Sequence, residues 1–599
     1  MEATTAAARP TTGSKTIADL LPRAAAMFGD GVAAKRKVDG AWQDVTFAQL
    51  WDVAREIALG LVDAGVRAGE RVGILCNTRV EWTYADFAIV AAGAVVVPIY
   101  PTNSPEECEW VLGDSESVAV VCEDASQVAK VLAVRERLPQ LRTIVVIDAS
   151  GGVPDGVVAL DELRERGRAR DAAELEARYG AVGPDDPFTF IYTSGTTGPP
   201  KGCVLTHGNY RSVVDMVGEN RVFSEDGDLI YLFLPLAHAF ALLIQLAAFD
   251  QGAPIAYFGG DTKQIIQEVM EVKPTYLPSV PRIFEKIYTL VSSNVDADTL
   301  RRATEVGERV QYARVRGEAI PEDVQREFDA FDSQLFVNVR GAFGGRLRQA
   351  TSGAAPIAPE ILRFFWAAGV PVLEGYGMTE TSTAATTSTV EDHRFGTVGR
   401  ALPGVEIKIA EDGEVLLRGA NIFRGYHNNS DASFGAVVDG WLHTGDLGSL
   451  DEDGYLTITG RKKDIIITAG GKNLTPANLE NDMKQCRWVS QAVMHGDRRP
   501  YPVMLITLDE EEIVPWAREQ GLEGDISALA REAKVRELIQ AELDRANAKY
   551  AQVEQVKRFV ILDHDLSQET GELTPTLKVK RNVIEQKYAG LFDSLYEGA

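Results

Sequence analysis

Residues 191–202 read IYTSGTTGPPKG and place four Ser/Thr hydroxyls, three glycines and a lysine just beyond an apolar run. Gly195 and Gly198 let the backbone come close to a ligand and turn its N–H groups into an anion nest. Thr193, Ser194, Thr196 and Thr197 add hydroxyl donors, and Lys201 adds a positive charge. In chemical terms this is a cradle for a triphosphate or pyrophosphate. It is not a Walker A loop, because the glycine-to-lysine spacing differs and no Ser or Thr follows Lys201. Read alone, the same composition also fits a flexible Gly/Thr surface turn.

Such a loop needs a scaffold, and residues 47–122 supply its pattern. FAQLWDVAREIALGLVDAGV has helical periodicity and RVGILCN is a short apolar strand; EWTYADFAIVAAGA, VVVPIY, EECEWVLGDS and VAVVCE repeat the alternation. Strand and helix in turn, punctuated by glycine, predict a parallel sheet covered by helices, with ligands bound beyond the carboxyl ends of its strands. Residues 294–335 are charged and helical, which predicts a solvated helical insertion. Residues 404–459 turn β-rich, with EDG and DEDG turns. Residues 461–475, RKKDIIITAGGKNLT, lead into a C-terminal block with strands and helices of its own.

With 599 residues the chain exceeds one ordinary core. Its 45% hydrophobic and 25% charged content is that of a globular protein, and a net charge of -26 argues against broad attraction to nucleic acid. A polyanionic ligand must therefore be held by local donors. The five cysteines (76, 108, 122, 203 and 486) form no CxxC pair, which predicts neither a zinc cluster nor a disulfide framework and suits a cytoplasmic location. Residues 1–15 lack an apolar stretch and read as a disordered lead-in. The apolar run 232–249, LFLPLAHAFALLIQLAAF, carries Pro235, His238 and Gln245 and no positive flank, so it is expected to be a buried or tunnel-lining segment rather than a membrane span.

Further short stretches follow the first in order: TSGAAP (351–356), EGYGMTE (374–380), HTGD (443–446), TGRKKD (459–464) and TPTLKVKR (574–581). Together with TSGTTGPPKG this series resembles the adenylate-forming superfamily, which includes acyl-CoA synthetases, aryl-CoA ligases, peptide-synthetase adenylation domains and firefly luciferase. PLAH, PSVPRIFEKIY and PVLEGYGMTETS look most like its long-chain fatty-acyl-CoA synthetases. The resemblance spans nearly the whole chain, least at 1–15 and 294–335.

The fold it implies is α/β: a large N-terminal domain of helix-covered, mostly parallel sheets (residues 16–461) with a small β-barrel-like subdomain at about 400–460. A small, mobile α+β domain (462–599) follows. The activity it implies is two-step. A fatty acid and MgATP give acyl-AMP and pyrophosphate, then CoA displaces AMP to form the thioester, with rotation of the C-terminal domain in between.

The residue roles are implied in the same way. Ser352, Gly353, Ala354 and Ala355 leave room for the purine. Glu374, Gly375, Tyr376, Gly377 and Met378 form a turn with Tyr376 against adenine, and Thr379 reaches a phosphate oxygen. Glu380 and Thr196 would hold Mg²⁺, a hard cation that favours oxygen ligands. Asp446, whose carboxylate can accept from both ribose hydroxyls, would hold the sugar with Arg461, and Ile458 would also contact the nucleotide. Taken singly, Glu380 is also a helix-start glutamate and Asp446 a turn aspartate. Lys578 would stabilise the charge that grows on the α-phosphate, although alone it reads as a surface lysine. His238 would position the acyl carboxylate, or be a satisfied core histidine. Lys463 would be the pivot, and Gly470 and Gly471 would face the pantetheine channel after rotation. Two departures stand out: Leu242 replaces a tryptophan that gates the tunnel in some bacterial members, and Leu577 replaces the glycine usual before the catalytic lysine.

The closest alternatives are a fatty-acyl-AMP ligase serving a carrier protein and a ligase for medium-chain or aryl acids. A catalytically silent acyl-adenylate-binding regulator is the rival from another class. Peripheral contact with a membrane and homodimer formation are left open by the residues.

Overall fold

The computed structural model describes residues 10–193, 199–220, 222–223, 227–574 and 577–597. Most of the Gly/Thr-rich stretch, Ser194 to Gly198, lies outside them, and so do the expected roles of Ser194, Gly195, Thr196, Thr197 and Gly198.

The alternation at 47–122 becomes helix Phe47–Asp63, strand Arg71–Leu75, helix Val80–Ala91, strand Val95–Ile99, helix Pro105–Asp114 and strand Ala119–Cys122. The strands are near-continuous apolar runs because both sheet faces are covered. They join strands Thr143–Val146 and Val157–Ala159 on one side and Pro187–Thr193 on the other, all in parallel. Lys201–Thr206 and Gly425–Tyr426 then extend this eight-stranded sheet antiparallel. A second, nine-stranded sheet holds Ile230–Leu232, Tyr276–Ser279, Gln349–Ser352 and Val372–Tyr376 in parallel. The β-rich stretch forms a third sheet from Glu406–Ile409, Glu414–Arg418, Val437–Val438, Trp441–Leu450 and Leu456–Arg461. Beyond it, strands Val489–His495, Val503–Leu508 and Arg558–Ile561 make a small sheet with a separate core around Met483, Met504 and Ile539. The expected α/β architecture is the one observed.

Two expectations need adjusting. Within the predicted lead-in, residues 10–15 are docked: the Thr12 N–H donates to the Asp250 carbonyl (2.9 Å) and Arg211 donates to the Ser14 hydroxyl (2.6 Å). Asp250 is buried and needs partners, and Arg211 and the threonine hydroxyl provide them. Residues 1–9 lie outside the described part. The charged insertion is helical as expected (Ala297–Arg316, Glu322–Phe331) but solvated on one face only. Leu300, Ala303, Val306, Gly307 and Val310 are buried, and the helix packs on Pro359–Ala367 so closely that a methyl at Gly307 would meet the Ala367 Cβ at 2.6 Å.

The run 232–249 ends strand Ile230–Leu232 and forms the buried helix Ala239–Asp250. Among the described residues, no helix is long and apolar enough to cross a membrane.

Candidate active site

A cavity of about 1700 Å³ lies between the N-terminal sheets and the small C-terminal sheet. Six separate stretches supply its chemistry. Thr193 and Lys201 face each other across an antiparallel pair, marking the two feet of the Gly/Thr-rich loop. Helix Pro105–Asp114 braces both feet: Tyr192 donates to Asp114 Oδ2 (2.7 Å), and Trp110 Nε1–H donates to the Pro200 carbonyl (2.9 Å).

Strands Gln349–Ser352 and Val372–Tyr376 run side by side and deliver Gly353, Ala354, Ala355 and Gly375, Tyr376, Gly377, Met378, Thr379 to the cavity wall. After Tyr376 the chain makes a 3₁₀ turn, Thr379–Thr381, followed by left-handed Ser382 (φ 50°) and by Thr383 (φ 96°), a strained conformation for a β-branched residue. Gly377 makes this turn feasible, since a Cβ there would sit 2.0 Å from the Thr383 carbonyl oxygen. The turn buries Glu380, and Tyr426 donates to Glu380 Oε1 (2.7 Å) while its ring lies 5.2 Å from Lys201 Nζ. Glu374 stands apart, bordering a small neighbouring hollow where burial pushes its carboxyl up to about 8.

Asp446 lies opposite Arg461 in the third sheet. Its carboxylate accepts from Tyr376 (2.7 Å) and pairs with Arg461 Nε (2.9 Å), one oxygen each, which leaves further lone pairs for a ligand. The nearby Glu414 accepts from the Gly445 N–H (2.9 Å) and pairs with Lys462 (3.2 Å), tying the part of strand Trp441–Leu450 that carries Asp446 to the turn Lys462–Asp464. Lys463, the expected pivot, lines the cavity from that turn.

His238 N-caps helix Ala239–Asp250: its Nδ1 accepts the Phe240 N–H (3.2 Å). Burial, and then the Lys578 ammonium, push its pKa down to about 4. With Nδ1 accepting, the neutral ring carries its proton on Nε2. From the same helix Phe240, Leu243 and Ile244 form an apolar arm of the cavity with Val217, Val222 and Tyr276. Leu242 packs into the main core instead.

Lys578 enters from the C-terminal side. A short turn holds it, with the Thr574 N–H bonded to the Lys578 carbonyl (2.8 Å) and the Lys578 N–H to Thr574 Oγ1 (3.0 Å). Leu577 adopts φ 58°, the left-handed conformation for which glycine is the usual choice. The Lys578 side chain stands in the water-accessible cleft yet is surrounded by protein; that enclosure and then Arg461 lower its pKa, with Asp446 opposing.

The structure thus gathers Thr193, Lys201, His238, Gly353 to Ala355, Gly375 to Glu380, Arg461, Lys463 and Lys578 around one space, with Asp446 bonded to its wall. Ser352 is buried behind the wall, and its hydroxyl has no hydrogen-bond partner among the described residues. Gly470 and Gly471, in the hairpin loop between Ile466–Ile467 and Asn473–Leu474, are exposed and do not line the cavity; neither does Ile458. Sequence reasoning passed over Tyr426 and Trp110. Tyr426 lies in FRGYHNN, between the EGYGMTE and HTGD stretches; neither it nor Trp110 carries a local signal.

Residues 21–427 match the AMP-binding enzyme model and residues 463–599 match the AMP-binding enzyme C-terminal domain. The chain belongs to the AMP-binding enzyme family. Among its relatives, the long-chain-fatty-acid--CoA ligase FadD15 of Mycobacterium tuberculosis is 41% identical over 95% of this chain and 94% of its own. Human long-chain-fatty-acid--CoA ligase 6 is 30% identical over 97% of this chain and 87% of its own. The AMP-binding fold is shared with the crystal structure of the anthranilate CoA ligase AuaEII in complex with anthranoyl-AMP (TM-score 0.74, 22% identity, 99% and 100% of the two chains). It is also shared with the adenylation domain of a carboxylate reductase from Mycobacterium chelonae (TM-score 0.76, 20% identity, 98% and 92%).

Proposed function

We propose that this AMP-binding enzyme is a long-chain fatty acid–CoA ligase that works through an acyl-adenylate. The observation that carries the reading is the convergence of Lys578, neutral His238 and the Asp446–Arg461 pair on one cavity with an apolar arm.

The alkyl chain lies along Phe240, Leu243 and Ile244, and His238 donates its Nε2–H to one carboxylate oxygen. Asp446 and Arg461 hold the ribose, while the loop from Thr193 to Lys201 holds the β- and γ-phosphates. The free carboxylate oxygen attacks the α-phosphorus; the new P–O bond forms as the bond to pyrophosphate breaks. Lys578 stabilises the charge on the phosphoryl oxygens, an effect typically worth about 10²–10³ in rate. The CoA thiolate then attacks the acyl carbonyl and AMP leaves. Glu380 suits Mg²⁺: among the described residues no group of three His, Cys, Asp or Glu side chains gathers to hold a metal, so a cation here would rest on one carboxylate and substrate phosphates, the usual manner for Mg²⁺. When bound it would neutralise phosphate charge.

Lys578→Ala tests this. Pyrophosphate exchange driven by fatty acid should fall about 10²-fold or more, while thioester formation from supplied acyl-AMP and CoA stays near that of the parent. Equal loss in both half-reactions would refute the assignment. A panel of acids from acetate to C18, assayed for CoA-dependent AMP release, checks the chain length and the acceptor.

A further inference from the structure

Lys578 belongs to a part of the chain with its own sheet and core, so something must hold that part in the orientation that brings the lysine into the cavity. Helix Pro281–Ser292, on the N-terminal side, carries Arg282 and Lys286 four residues apart and hence on one face. Both reach the turn that starts helix Glu510–Glu519 in the C-terminal part. Arg282 bonds Asp509, the N-cap of that helix, and Lys286 Nζ pairs with Glu511 Oε2 at 2.8 Å. The turn reads Asp509-Glu510-Glu511-Glu512, and Lys263 adds a third nearby cation felt by Glu511. A basic face thus meets an acidic turn across the cleft, in a chain whose net charge is -26.

We propose that Arg282 and Lys286, with Asp509 and Glu511, are positioning residues for adenylate formation: their ion pairs hold the C-terminal part where Lys578 faces the nucleotide. None of the four need touch the reacting atoms. Contacts made in one orientation favour that orientation by their own free energy and no more. Arg282–Asp509 is the stronger member, because the Asp509 side chain is 10% exposed whereas Lys286 and Glu511 are 50% and 68% exposed. Burial raises the Asp509 pKa, and the Arg282 charge works against that rise.

The inference rests on the role given to Lys578 under Proposed function. Its test is charge reversal at the exposed pair, where folding is least at risk. Lys286→Glu and Glu511→Lys should each slow pyrophosphate exchange about five-fold and leave thioester formation from supplied acyl-AMP unchanged or faster. The double reversal should restore exchange to within about two-fold of the parent. Asp509→Asn should slow exchange more than either single reversal. In the parent, exchange should fall between 0.05 and 0.5 M salt, about the range over which screening removes such pairs, and it should fall less in the single reversals, where salt also screens the repulsion each one introduces. Unchanged exchange in the single reversals, equal slowing of both half-reactions, or no recovery in the double reversal would overturn the proposal. Should Lys578→Ala strike both half-reactions equally while the reversals still separate them, the role of Lys578 falls and the positioning pairs stand.

Discussion

At the scale of single residues, His238 is informative because one ring serves two ends. Its Nδ1 closes the first turn of a buried helix, and its Nε2–H is left for the cavity. A cation at a helix N-terminus is unfavourable, and an imidazolium Nδ1–H would oppose the Phe240 N–H. Both effects agree with burial in holding the pKa to about 4. Because the folded value lies below the ordinary 6.5, the neutral ring's contribution to stability is fully present above 6.5. It is lost as pH falls from 6.5 through 4, since the unfolded chain takes up a proton that the folded chain refuses. Imidazole ¹⁵N spectra should therefore show His238 neutral and protonated at Nε2 from pH 8 to 5; titration near 6.5, or a protonated Nδ1, would contradict this. The motif residues were legible in the sequence because glycines, hydroxyls and charges in fixed order leave a local trace. Tyr426 was not assigned, although its bond to Glu380 spans 46 residues and its ring also faces Lys201. That pairing follows from an antiparallel addition to the sheet edge, Tyr426 beside Cys203, which no local pattern announces.

At the scale of elements, the turn that holds Lys578 depends on Glu572. This side chain is fully buried, and the backbone carbonyl of the same residue accepts the Lys580 N–H (2.8 Å). Burial alone would raise its pKa, but bonds from Lys587 (2.7 Å), Thr570 (2.5 Å), Tyr588 and the Ser567 N–H outweigh it and hold the carboxyl at about 2. The folded value is depressed, so its stabilisation is present above 4.5 and is lost as pH falls from 4.5 through 2. Glu572→Gln should cost the C-terminal part about 2–3 kcal/mol in urea unfolding at pH 7 and slow pyrophosphate exchange, with most of the stability difference gone at pH 3. A difference that persists at pH 3 would mean the charge is not what matters. Regular elements were easy to foresee where apolar spacing is clean, as in 47–122. They were harder to foresee where charge hides a buried stripe: Leu300, Ala303, Val306 and Val310 lie on one helical face amid arginines and glutamates. The docking of residues 10–15 was hidden altogether, because its anchor Asp250 is more than 230 positions away.

At the scale of the whole molecule, the cavity has two owners. Phe240, Gly353 and Tyr376 line it from the N-terminal sheets; Asn478, Asn481, Gln485 and Lys578 line it from the C-terminal part. A container whose roof is an entire domain opens widely when that roof moves. Were that roof to move, pyrophosphate would leave and bulk water would arrive by the same opening. Release and hydrolytic leakage are then one event seen from two sides. AMP formed from fatty acid and MgATP without CoA becomes a clock for roof opening: Asp509→Asn should quicken it, and a clock that keeps the parent's time would mean the anhydride is guarded by something nearer than the roof.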